Sequence, residues 1–464
     1  MKKEAVTYAT EYDLDGRVPL KRAIVLGMQH VLAMFVGNLT PILVVGGLCG
    51  LGEAGVMTAV IQNAMLIAGI VTLIQLFTIG PIGAKLPCVM GTSSGFIGIM
   101  SSVAKACGGG VIGYGAVLGA SLIGGLFETV LGFLLKPLKK LFPPLVTGIV
   151  VTAIGLSLIS VGVNSFGGGN SNGDFGSLTN LAIGLFVLVV IIVLKHFTKG
   201  ITSSASILIG IIAGYVLCTV LALFVKTTYV NADGVEATCS WVVNWSKVGS
   251  AAWFAVPKLM PVAFVFDVKA IIPMLIMFIV TAVETIGDLS GITEGGLGRE
   301  ATDKELSGGV ICDGVGSSIA AVFGVLPNTS FSQNVGLVGM TKVVNRFTIG
   351  TGAIFLILCG FFPKLATILQ IMPQSVLGGA AVMMFASIIV SGIKLMTKES
   401  IDARATTIIA VSLGVGYGLG ATSGVLAKLP SWLSTLFGES GIVTAALFAI
   451  LLNVLIPKEE KKKD

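Results

Sequence analysis

Three observations predict an all-α polytopic membrane protein of 14 transmembrane spans in a 7+7 inverted repeat. The chain holds fourteen long apolar runs, its interior is almost free of charge, and two runs seven apart are broken by proline in matched positions. Those two, spans 3 and 10, are expected to hold short broken or strand-like segments instead of full helices. Hydrophobic residues make up 54% of the 464 and charged residues 11%, against roughly 25% charged in soluble proteins. A water-soluble globule of this size has too few charges to cover its surface. Disorder is excluded as well, because disordered chains are poor in apolar residues.

The runs lie at 23–47, 54–79, 86–104, 111–135, 144–163, 180–194, 201–225, 271–291, 307–325, 328–341, 347–363, 372–393, 405–425 and 440–457. An even count puts both termini on one side, here assigned as cytoplasmic. The 29 Lys and Arg then divide 22 to 7 in favour of that side. Four of the seven fall in one long loop, 226–270, where the charge rule is weak. Dropping or adding a span scrambles the division. The same asymmetry accounts for the net charge of +6, and no basic patch with interleaved aromatics points to nucleic acid.

Loop 226–270 carries Trp241, Trp245 and Trp253, expected at the membrane interface as an aromatic belt. Loop 164–180 is rich in Gly and Asn and reads as flexible. The seven cysteines have no CxxC or Cys/His spacing, so they read as small apolar core residues rather than a metal site or disulfide framework.

Pro87 and Pro327 open the two weak runs and lie 240 residues apart. GTSSGFIGIM follows the first at 91–100, and NTSFSQNVGLVGM follows the second at 328–340. Seven spans is an odd offset, so the two halves insert with opposite orientation. Non-helical backbone at membrane depth persists only where protein or a polar ligand pairs its N–H and C=O groups. The short helix after each break aims its positive end at the break. Two facing breaks would make a polar site near the midplane.

Acidic residues inside spans are costly and mark functional sites. Glu284 and Asp288 are four apart and share a helix face, and Asp313 lies early in span 9. Glu128 lies nearer the cytoplasmic end of span 4, within reach of Lys136 or Lys139, and reads first as a structural carboxyl. His30, beside Gln29 in span 1, reads as part of a proton or substrate network, with a satisfied core histidine as the alternative. The sequence has no GxxxxGK[ST], HExxH or GxSxG and no TVGYG-type filter. It is read as a transporter and not as an enzyme, with no cofactor and no metal.

At QNVGLVGMTK, residues 333–342, the chain resembles the nucleobase–ascorbate transporter family, also called nucleobase–cation symporter-2. The signature [Q/E/P]-N-x-G-x(4)-T-[K/R/G] reads here as Gln333, Asn334, Gly336, Thr341 and Lys342. The resemblance extends to Gln29 and His30, to Glu284 and Asp288, and to Asp313. It implies a core domain of spans 1–4 and 8–11 (residues 23–135 and 271–365). It also implies a gate domain of spans 5–7 and 12–14 (136–225 and 366–457) that makes a homodimer. Residues 1–22 and 458–464 are cytoplasmic tails on this reading, and 226–270 is extracytoplasmic. Gln in first position is similar to the xanthine and uric acid branch, Glu to the uracil branch and Pro to the ascorbate branch.

The implied activity is proton-coupled uptake of a purine nucleobase across a bacterial cell membrane by elevator-type alternating access. Sodium is the alternative ion. A uracil or other nucleobase permease, or an anion transporter or channel of the same inverted fold, is the alternative function. Glu284, Gln333, Ser332, Ser93, Ser94 and Phe331 are the implied substrate residues. Asp313, Asp288, His30 and Asn334 are the implied coupling network. Gln suits a purine, because its amide presents donors and an acceptor to an adjacent N–H and C=O. Purine-transporting relatives often place a Phe in span 3, where GTSSGF puts Ser94, with Phe96 and Phe331 as nearby aromatic substitutes.

Overall fold

The computed structural model describes residues 8–135, 143–170, 172–230, 236–398, 400–422, 424–426, 428–429 and 441–457. Residues 1–7, Lys136, Lys139, Lys140 and the tail 458–464 lie outside the described residues, so expectations placed on them stand as they were.

Uninterrupted apolar sequence makes the long helices. α1 (Leu20–Leu48) and α2 (Met57–Phe77) open the chain. Proline then interrupts. After Pro87 the chain extends as β1 (Met90–Thr92), turns through Ser94–Phe96, and resumes as the short α3 (Ile97–Ala106). α4 (Gly110–Phe133), α5 (Pro144–Phe166), α6 (Leu178–Phe197) and α7 (Ser206–Leu221) follow. The long loop forms a hairpin of β2 (Thr228–Val230) and β3 (Glu236–Thr238) before α8 (Val268–Ile292) and α9 (Asp303–Val322). Pro327 ends the next stretch, giving β4 (Asn328–Ser330) and the short α10 (Ser332–Thr341). α11 (Arg346–Cys359), α12 (Pro363–Gln370), α13 (Gln374–Met396), α14 (Ala403–Ala421) and α15 (Gly441–Leu455) complete the order. Seven of these helices are each long and apolar enough to cross a membrane, and α11 with α12 forms a further pair bent by 85°.

Lipid gives no hydrophobic drive between helices, so close packing must hold them. Small residues supply it. A Cβ on Gly125 of α4 would lie 2.5 Å from the Gly314 carbonyl oxygen of α9. A Cβ on Gly392 of α13 would lie 2.5 Å from the backbone nitrogen of Thr152 in α5. The close helix pairs are α5 with α13, α4 with α9 and α8, α11 with α1 and α2, α6 with α7, and α14 with α15.

Three features differ from the sequence expectation. Trp241 is 1% exposed and joins the main core, whereas Trp245 and Trp253 stand at the surface. Burial of Trp241 removes it from any aromatic belt. Loop 164–180 is tied down rather than loose. Asp174 Oδ2 accepts from the Ser240 backbone N–H (2.8 Å), the Ser240 hydroxyl (3.0 Å) and Asn180 Nδ2 (3.1 Å). Residues 363–370, read partly as a connecting loop, form α12, because Pro363 sits at a helix start where its missing N–H costs nothing. Glu128 is fully buried and takes the Thr281 hydroxyl at 3.2 Å, while the Lys136 and Lys139 expected within its reach lie outside the described residues.

Candidate functional site

β1 and β4 pair antiparallel, with Met90 opposite Ser330, Gly91 opposite Thr329 and Thr92 opposite Asn328. Two three-residue strands leave outer edges that lipid cannot satisfy. Side chains close them. Met90 N donates to Thr72 Oγ1 (2.9 Å), Thr92 N to Asn38 Oδ1 (2.7 Å), and Asn328 N to Ser317 Oγ (2.9 Å). Gly91 is required by close approach. A Cβ there would sit 2.7 Å from both Asn38 Oδ1 and the Phe331 ring.

α10 starts directly after β4, and the Ser94–Phe96 turn leads from β1 into α3. A small pocket lies where these segments begin. Of the six predicted substrate residues, Glu284, Gln333, Ser332, Ser94 and Phe331 line it. Ser93 does not. Its N–H donates to Pro327 O (2.8 Å), which extends the strand pairing, and its hydroxyl is buried without a partner. The Phe331 ring packs against Gly37 of α1 and Gly91 of β1, so it walls the pocket from behind the strands. Thr92, Thr329, Ser330 and Ile388 also line the pocket. Sequence reasoning missed Ile388, since one Ile among the apolar residues of α13 carries no signal.

The acids divide into two kinds. Both oxygens of Asp288 are satisfied, one by Ser330 Oγ (2.7 Å) and one by Ser332 Oγ (2.8 Å). Asp288 therefore anchors the break of span 10 to α8. Glu284 and Asp313 each keep one buried oxygen, Oε2 and Oδ1, with no hydrogen-bond partner. The other Asp313 oxygen takes the Thr285 hydroxyl and, at 3.4 Å, the Thr329 hydroxyl. Thr285 in turn lies 3.1 Å from the Ser330 hydroxyl, which joins the Asp313 and Asp288 groups through one chain of hydroxyls.

His30 is 1% exposed and stands apart from the acids. Asn334 Nδ2 lies 3.3 Å from its ring Nδ1 and donates to its backbone oxygen at 3.0 Å, so the pair fixes α10 against α1. The rest of the signature is at the far end of α10. Thr341 Oγ1 donates to Leu337 O (2.8 Å), while Lys342 ends the helix at φ 59° and reaches Gly295 O (2.5 Å). A Cβ on Gly336 meets nothing within 4 Å. Among the described residues no group of His, Cys, Asp or Glu is arranged to hold a metal ion, and the seven cysteines are free thiols.

A helical fold with two broken segments, their helix starts facing one polar pocket, defines a multi-pass membrane protein of transporter type. The model of a permease family matches residues 21–423, and the chain belongs to that family, the nucleobase–ascorbate transporters, as a permease and not an enzyme. A uric acid transporter of Escherichia coli is 34% identical over 442 residues, covering 93% of this chain and 86% of the relative. A xanthine permease of the same organism is 32% identical over 460 residues, covering 97% and 95%. A uric acid permease of Bacillus subtilis is 35% identical over 443 residues, covering 94% and 96%. Among solved structures, the transmembrane domain of a cyanobacterial bicarbonate transporter aligns with a TM-score of 0.53 at 13% identity, over 94% of this chain and 97% of that one. A murine solute carrier 26 anion transporter aligns with 0.53 at 12%, over 93% and 68%. At such identities these two share the fold alone.

Proposed function

We propose that the protein takes up a purine nucleobase, xanthine or uric acid, in symport with protons, by elevator-type alternating access. The observation that carries this reading is the pocket itself. Glu284 and Gln333 line it together, and Gln333 has no side-chain partner among the described residues. A carboxylate accepts N–H groups from one purine edge, and an amide matches an N–H and C=O on the other. The relatives named for xanthine and uric acid support the substrate class. No Lys or Arg lines the pocket, which argues against a free anion as cargo.

The fourteen-span, 7+7 inverted reading is supported by which helices touch. Exchanging each span for the one seven away turns the α4–α9 pair into α11–α2, and the α1–α11 pair into α8–α4. It also turns α6–α7 into α14–α15 and leaves α5–α13 and β1–β4 unchanged. A core of residues 23–135 and 271–365 would then carry the pocket. A gate of 136–225 and 366–457 would face it through Ile388, form the dimer and hold still, with both termini cytoplasmic. Protonation of Asp313 or Glu284 would remove a charge that the membrane disfavours and let the loaded core slide. Sodium is the competing ion.

Uptake of radiolabelled xanthine into vesicles, with and without an imposed proton gradient, tests the proposal. Gradient-driven accumulation supports it. Uptake indifferent to the proton gradient but driven by sodium replaces the ion. Absence of purine uptake overturns the substrate.

A further inference from the structure

Glu128 is a fourth buried carboxyl beside Glu284, Asp288 and Asp313, and it does not line the pocket. It is fully buried on α4, its Oε1 takes the Thr281 hydroxyl at 3.2 Å, and its Oε2 has no partner. An unpaired buried oxygen is costly; Asp288 has both of its oxygens bonded, whereas Glu128 carries that cost inside a helix seam, as Asp174 carries it in loop 164–180. Glu284 and Asp313 show the same defect of one orphan oxygen each. No Lys or Arg is buried among the described residues, so none of these cations compensates the three acids.

Their placement is ordered. Thr281 and Thr285 lie one turn apart on α8, so they share a face. Thr281 bonds Glu128 and Thr285 bonds Asp313, which sets the two carboxyls along one side of that helix. α4 and α9 meet at the Gly125–Gly314 contact, one residue from Asp313 and three from Glu128. The helices packed on α4 bring acids of their own, Asp313 on α9 and Glu284 and Asp288 on α8. On α3, which also packs on α4, the charged residue is the exposed Lys105 near that helix's end.

The seam between α4 and α9 ends at a pocket of about 380 Å³, whose lining includes Phe133, Ile311, Ser307, Lys85, Lys304 and Glu305. Phe133 is five residues beyond Glu128, and Ile311 two before Asp313. On the proposed topology this pocket faces the cytoplasm. Lys85, Lys304 and Glu305 give it a charged, wettable rim.

We propose that Glu128 is the release-side proton acceptor of the symport cycle, taking the proton from Asp313 or Glu284 and passing it to the pocket at the end of the α4–α9 seam. The inference rests on the proton-symport reading. In the step, the donor carboxyl becomes a carboxylate and Glu128 becomes a neutral carboxyl, so the charge of the cluster is unchanged. Glu128 then loses the proton to water in the pocket, and the cluster regains one negative charge for the next cycle.

The test uses the whole protein in proteoliposomes, with labelled xanthine as the probe and the pH of the cytoplasmic face varied. Two assays are compared: exchange of xanthine between loaded faces, which needs no net proton release, and accumulation driven by a proton gradient. Glu128→Gln keeps an acceptor for Thr281, and the amount inserted is read alongside transport. It is expected to keep exchange within about threefold, to lose about tenfold or more of accumulation, and to lose the response to cytoplasmic-face pH. Glu128→Asp should restore part of both. Thr281→Val, which unties Glu128 without changing its charge, should shift the pH profile with a smaller loss. Glu128→Gln accumulating with the parent pH profile overturns the inference, and so does equal loss of exchange and accumulation in Glu128→Gln with Thr281→Val unchanged. A parent protein that takes up xanthine without responding to protons removes the symport reading, and this inference with it. A parent that responds alongside an equally responsive variant removes the inference alone.

Discussion

The two broken segments occupy equivalent places in the halves of the chain, yet they are built differently. Around β1 the polar contacts are made by backbone N–H groups donating to Asn38 and Thr72. Around β4 the Asn328 N–H is held in the same way on Ser317, but side chains add contacts of their own, with Ser330 and Ser332 on Asp288 and Thr329 on Asp313. β1 is therefore held as a passive wall, while β4 is tied to the acids of α8 and α9. On the proposed proton symport, protonation of those acids would reach β4 and α10 directly and β1 only through strand pairing. Chemistry gathers on the second segment and space on the first, where Ser94 is half-buried at the pocket lining.

The sharpest way to break this comparison is to remove the acid that both segments face. Glu284→Gln is expected to abolish accumulation with the protein still in the membrane, read as labelled uptake against amount inserted. Near-normal uptake would strip Glu284 of its role. Gln333→Glu acts on the β4 side alone. Exchanging a donor–acceptor amide for a carboxylate is expected to weaken xanthine binding by about 1–3 kcal/mol. A thermal-shift titration measures it, and unchanged affinity refutes the contact.

Gly91→Ala tests the wall. The added methyl meets Asn38, Met34 and Phe331 within 2.8 Å, so overpacking of about 1–3 kcal/mol should lower the melting temperature. Gly336→Ala is its counterpart on the other segment. Open space and better helix propensity predict unchanged or slightly raised stability, by up to about 1 kcal/mol. If that variant folds but fails to transport, Gly336 makes its contact in another state of the cycle.

The smallest effect is expected at Ser94. Ser94→Asn should reduce urate transport more than xanthine transport, because urate carries an extra carbonyl oxygen at C8 and needs the room. Competition of labelled xanthine uptake by cold urate reads it. No inhibition by excess urate in the parent protein would make the site specific for xanthine.

Much of this site was legible because membrane proteins punish polar residues. Glu284, Asp288, Asp313, Gln333 and Asn334 stand out against apolar sequence, and each sits in the polar network around the breaks or on α10. Glu128 stood out too, with Lys136 and Lys139, which lie outside the described residues, read as within its reach. A helix spacing rule finds neighbours along the chain but not Thr281, which is 153 residues away. Ser93 and Ser94 are adjacent and chemically identical, so nothing in the sequence distinguished them. Strand pairing did, by consuming the Ser93 N–H on Pro327 and leaving Ser94 at the pocket.

The sequence by itself determined that the chain crosses a membrane, where its helices begin and break, and which acids and amides are candidates for function. These follow from local rules: run length against bilayer thickness, proline's missing N–H, and the cost of charge in lipid. Only the tertiary structure decided how the acids differ. Asp288 is saturated by two serines, whereas Glu284, Asp313 and Glu128 each keep an unpaired oxygen. That division depends on which hydroxyl each carboxyl meets across helix seams set by glycine, and such meetings are fixed by packing between distant segments rather than by neighbours in the chain.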